Sequence, residues 1–99
     1  MGKVIKKIEE IYVSESLETV TAYCIADKEL LGGKYPEAVS AEISVEVPIN
    51  YIEAAMADVM ISPTREVEGG TEDYDWMPYE LPEEELIDII EKLKKEVFS

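Results

Sequence analysis

Glu66, Glu68, Glu72, Asp73, Asp75, Glu80, Glu83, Glu84, Glu85, Asp88 and Glu91 lie within 26 residues that contain no Lys or Arg. These eleven carboxylates account for eleven of the chain's fourteen net negative charges, and the other 73 residues hold twelve acids against nine bases. A carboxylate can occupy the Lys and Arg contacts that a phosphate would use, and Arg forms bidentate pairs with either group. Such contacts dominate the affinity of nucleic-acid-binding proteins for their ligands. The chemistry on offer is therefore recognition of a cationic surface. Tyr74, Trp76 and Tyr79 lie inside the same stretch, and aromatic side chains of this kind anchor protein interfaces.

Charge density limits the idea. Wound as a helix, the stretch would carry one charge per ~3.5 Å, close to the ~3.4 Å of a single nucleic-acid strand but sparser than the ~1.7 Å of a duplex. A duplex-like density needs further acids, such as Glu42 and Glu46, or a second copy of the chain. A plainer account covers Glu83, Glu84 and Glu85, which complement the positive end of a helix dipole. Charge runs also serve as solvated surface.

Other chemistry has little to work with. Histidine is absent, which removes the commonest general base and transition-metal ligand. The single Cys24 cannot form an internal disulfide and reads as a small buried hydrophobe in a reducing compartment. Gly32-Gly33 and Gly69-Gly70 are isolated pairs that turn chemistry explains. Glu72-Asp73-Tyr74-Asp75 resembles part of a calcium loop only until Met77 and Pro78 break the pattern. No catalytic, cofactor or metal site is expected. No segment reaches the ~20 apolar residues that span a bilayer, and the N-terminal residues lack a signal-peptide core, so a cytoplasmic location is expected.

The elements that would carry these residues follow from periodicity. Residues 39–49 alternate Val39, Ala41, Ile43, Val45, Val47 and Ile49 with polar residues and Pro48, which predicts a half-buried strand ending near the proline. Residues 19–26 are rich in β-formers and predict a second strand. In residues 3–13, Val4, Ile8 and Ile11 have helical spacing while Ile11-Tyr12-Val13 favours a strand, and a first hairpin strand is the reading adopted. Residues 30–36 read as a longer connection. Asn50 and Glu53 have an N-cap pattern, and Ile52, Met56, Val59 and Met60 follow at helical spacing, so a helix is predicted over 51–60 and stopped by Pro63. An acidic connection at 66–81 then leads to a C-terminal helix at about 82–98. Its Leu86, Ile89, Ile90, Leu93 and Val97 should face the core. The expected fold class is α+β: one domain over 1–99, a three-stranded antiparallel sheet, or four with one short extra strand, packed by two helices on one face.

Function is expected from the acidic segment. The leading expectation is a small acidic protein that inhibits or modulates a basic nucleic-acid-binding protein or nuclease by phosphate mimicry, without binding nucleic acid or membrane itself. Glu66, Glu68, Glu72, Asp73, Tyr74, Asp75, Trp76, Tyr79, Glu80, Glu83 and Glu84 would form the interface. By analogy of composition alone, phages and mobile elements use such proteins against host defences. The alternative is a non-catalytic, homo-oligomeric scaffolding module, dimeric in its simplest form, whose acidity serves only solubility. A small-molecule binder is a third class, disfavoured for anionic ligands by the shortage of basic residues.

Overall fold

A computed structural model describes residues 5–16, 18–26 and 37–98. The expected connection at 30–36 and the first two residues of the expected first strand lie outside them. Among these residues six strands, β1 (Ile5–Val13), β2 (Thr19–Ala26), β3 (Ala38–Pro48), β4 (Asp58–Val67), β5 (Gly70–Asp73) and β6 (Met77–Pro78), precede one α-helix, α1 (Glu83–Phe98). All six form one antiparallel sheet in the order β1-β2-β3-β4-β5, with β6 also paired to β4. The three-stranded sheet with two helices is therefore corrected to a larger sheet with a single C-terminal helix.

Strict alternation builds the centre. Val20, Ala22, Cys24 and Ala26 of β2 are fully buried, and Ala41, Ile43, Val45 and Val47 of β3 lie beside them on the same face. A register irregularity between Ala38 and Ser40 turns Ala38 inward, leaving Val39, expected inside, 45 % exposed. Pro48 closes β3 as its missing donor requires. The β1–β2 turn is held by Ser14, whose hydroxyl accepts from the Glu18 and Thr19 amides, both at 3.2 Å.

The helical spacing in β1 has a different origin. The β1–β2 register shifts between Ile5 and Lys7 and again between Ile8 and Glu10. Each bulge adds one residue, so every third side chain, Ile5, Ile8 and Ile11, packs on the core. Two bulges in a strand thus mimic the period of a helix.

The predicted helix over 51–60 does not form. Only Ala54–Met56 make a single 3-10 turn, and Glu53 caps it without a side-chain hydrogen bond. Met56, predicted on the buried stripe, is 49 % exposed. From Asp58 the chain is strand, with Val59, Ile61 and Pro63 opposite Val45, Ile43 and Ala41. The predicted helix over 51–60 has ten residues, short of the ~12–15 that isolated helices need. The β-branched residues that follow gain more by joining the sheet.

Pro63 is fully buried within β4, where a missing N–H ordinarily breaks a ladder. Its carbonyl accepts from the Tyr74 amide at 2.8 Å. In an antiparallel pair, Pro63 would return a bond to the Tyr74 carbonyl. That carbonyl is served instead by the Ser62 hydroxyl, at 2.6 Å. Regular pairing lapses at this point, between β5 and β6, and residues 74–76 fold out over the sheet.

Helix α1 seals the core face. Ile89, Ile90 and Leu93 are buried against it, with Leu86 and Val97 partly so. Glu85 is also buried, and its carboxylate accepts from the Ile5 amide at 2.9 Å, tying the helix start to β1. No described helix is long and apolar enough to cross a membrane.

Candidate functional site: an acidic and aromatic sheet face

Among the described residues, the second face of the sheet carries no helix. Cross-strand partners share a face, so the register places Thr21, Tyr23, Ser44, Glu42, Glu46, Asp58 and Met60 together, with Glu10 and Tyr12 from β1 alongside. Trp76 lies across them, its ring 6.5 Å from that of Tyr23 at an interplanar angle of 56°. A depression of about 250 Å³ lies beside Trp76, with Glu46, Asp58 and Met60 in its wall, and another of about 370 Å³ lies among Glu9, Glu10, Tyr12 and Glu42. Tyr23 lines both and forms the ridge between them.

Acids dominate this face, on which the register also places Lys7, through Ile25, in line with Glu42. Among the described residues, Arg65 pairs with Glu72 at 2.9 Å and Glu37 at 3.2 Å, and Lys94 with Glu91 at 3.7 Å. None of these cations reaches Glu10, Glu42, Glu46, Asp58 or Asp73. Glu46 accepts a long hydrogen bond from Thr21, and Asp73 accepts one from Thr64 at 2.9 Å. Burial, then the carboxylates of Asp73, Glu9 and Glu10, push the Glu42 carboxyl above its ordinary value.

That shift has a sign for stability. A carboxyl whose pKa is higher folded than unfolded favours folding when protonated, and this contribution is lost as pH rises through the folded value. Glu42→Gln is therefore expected to raise the melting temperature at pH 7 and low salt. The gain should shrink as pH falls towards the ordinary carboxylate range. Thermal melts at several pH values check this; a variant less stable than the parent at pH 7 contradicts it.

The acidic stretch is divided by the fold. Glu66 and Glu68 lie exposed at the end of β4 and in its turn, which Gly69 makes with a φ of 90°. Glu72 and Asp73 alternate in β5, so Glu72 meets Arg65 while Asp73 meets Thr64 on the opposite face. They cannot converge on one cation, and no described group of three or more acidic or sulfur ligands is placed to hold a metal ion. Asp75 and Glu80 are exposed in the connections flanking β6. Glu83 and Glu84 are exposed at the start of α1, on the layer that packs the core face.

The expected aromatic cluster also separates. Tyr74 lies under the Arg65 guanidinium, 5.5 Å from its ring centroid. Tyr79 packs against the core, where burial and then nearby Glu85 push its phenol up. Only Trp76 joins the open face, with Asp73 at its margin.

The chain matches no protein-family model, no curated protein and no solved structure. Geometry alone carries the reading of the site.

Sequence reasoning found Glu42 and Glu46 as extra acids but missed Tyr12, Tyr23, Glu10, Asp58 and Met60. Alternation within β2 was enough to place Thr21 and Tyr23 outward. Asp58 and Met60 were hidden by the helix reading of their segment. Cys24 is buried beneath α1, and burial pushes its thiol up to about 11, which disfavours the reactive thiolate.

Proposed function

We propose that this protein binds and blocks a cationic nucleic-acid-binding protein or nuclease, with its open sheet face occupying the partner's phosphate-binding groove. One observation supports this above the others: Glu10, Glu42, Glu46, Asp58 and Asp73, none paired with a described cation, share a face with Trp76 and Tyr23. Glu46 and Asp58 are direct cross-strand neighbours, about 4.5–5.5 Å apart at Cβ. An Arg side chain entering there meets two carboxylates and the Trp76 ring, combining ion pairing with cation–π attraction. The anionic field steers encounter and the aromatic ridge limits escape. Action inside a reducing cytoplasm is part of the proposal, consistent with a single unpaired cysteine.

The test is competition. Nucleic-acid-binding proteins retained on the immobilised chain should be released by short DNA or RNA and by raised salt. Trp76→Ala should weaken a retained complex by roughly 30-fold or more, as a central aromatic anchor does. The triple change Glu42→Gln, Glu46→Gln, Asp58→Asn should mainly slow association. Glu83→Gln with Glu84→Gln, on the other layer, should change little. Retention indifferent to nucleic acid, or equal losses from the helix substitutions, contradicts the proposal.

A further inference from the structure

Strand β1 is the first strand of the sheet, and among the described residues no strand pairs its outer edge. Its sequence Ile5-Lys6-Lys7-Ile8-Glu9-Glu10-Ile11 has an unusual symmetry: reversal about Ile8 exchanges the basic doublet for the acidic one. We propose that this edge pairs, antiparallel, with the same edge of a second copy, on a two-fold axis through Ile8.

In that register Ile8 faces its own counterpart, Ile5, whose amide stays with Glu85, faces Ile11, Lys6 faces Glu10 and Lys7 faces Glu9. Opposite charges directly across an antiparallel pair stabilise it, and like charges destabilise it. The complementarity also selects the register. Moving the axis one residue towards the N-terminus puts Lys7 against Lys7, and one residue the other way puts Glu9 against Glu9. The two bulges fall one in each doublet, so each bulged pair meets the other copy's bulged pair and the isoleucines stay aligned.

Charged residues and bulges on an edge strand usually prevent indiscriminate pairing. Here the same charges still oppose pairing with an unrelated strand but accept an identical one. The doublets cancel locally, so the contact forms where the −14 chain is neutral. Repulsion between the remaining charges is screened beyond ~8 Å at physiological salt. A two-fold axis normal to the sheet keeps both open faces on the same side, where they form one continuous surface twice as wide. Glu10 belongs to both the open face and this edge, so the inference is read by self-association alone and stands or falls separately from the proposed partner.

Charge swapping tests it. In sedimentation equilibrium over a concentration series, the parent chain should approach twice its monomer mass. The variant Lys6→Glu, Lys7→Glu sets Glu against Glu, and Glu9→Lys, Glu10→Lys sets Lys against Lys. Each alone should lose self-association by roughly tenfold or more. An equimolar mixture of the two should recover a dimer, as should one chain carrying all four changes. A parent that stays monomeric, reversed variants that dimerise like the parent, or a mixture that fails to recover overturns the proposal.

Discussion

Replacing Leu93 with Ala is expected to destabilise the protein by about 2–5 kcal/mol, the range for emptying a buried leucine site. Leu93 has no exposed surface and lies in the middle of α1, packed into the cluster that contains Ile43, Val45 and Cys24. The helix shares that face with the 3-10 turn Ala54–Met56, and Ile52 and Leu81 join the same cluster. Burial by Ile89, Ile90 and Leu93 contributes about 1.5–3 kcal/mol each, and a 16-residue helix has little stability apart from such packing. Ile87, 44 % exposed on the same helix, supplies the control: Ile87→Ala should stay within about 1 kcal/mol of the parent. Denaturant unfolding reads both. Equal effects from the two substitutions contradict the assignment of the buried face.

Ser62→Ala should cost about 0.5–1.5 kcal/mol, the net worth of a hydrogen bond lost from a buried side chain. Ser62 is 1 % exposed, and its hydroxyl supplies the Tyr74 carbonyl with the bond that Pro63 cannot donate. Loss of that bond frees residues 74–76, which hold Trp76 over Tyr23. Trp76 fluorescence should accordingly shift to the red, even where the far-ultraviolet circular dichroism is unchanged. Pro63→Ala restores a main-chain N–H facing Tyr74, so Ser62→Ala should cost less in that background. The cycle formed by the two single variants and the double one measures the coupling. Strict additivity, or unshifted Trp76 emission in Ser62→Ala, contradicts the arrangement.

Much of the scaffold can be read along the chain because its signals are local. Residues 19–26 and 39–48 alternate as half-buried strands must, and α1 announces itself through its acidic start, apolar stripe and basic end. The β4 segment misleads because Ala54-Ala55-Met56-Ala57 favours a helix and Pro63 looks like a terminator. What makes that proline acceptable is a serine one position earlier and a carbonyl eleven residues later, a relation no local window contains. Strand β1 misleads for a related reason: its bulges impose a period of three, and bulges are settled by the neighbouring strand.

The candidate site was less legible than the fold. Glu72 and Asp73 are adjacent in sequence, yet the pleat sends them to opposite faces. Glu10, Glu46 and Asp58 are distant in sequence, yet strand register brings them to one face. A charge count along the chain records the first relation and misses the second. Trp76 stands out in the sequence, whereas its contact with Tyr23 depends on the excursion of residues 74–76 across the sheet.

Because α1 covers one side of the sheet and, among the described residues, only the excursion carrying Trp76 crosses the other, interior and recognition surface are made from alternate residues of the same strands. Ile43 and Val45 hold the molecule together, while Glu42, Ser44 and Glu46 beside them are released from that duty. The outward row can therefore exchange acids for other side chains without opening a void. Such a scaffold can be retargeted to a new partner by rewriting the outward positions of β2, β3 and β4 other than Ser62.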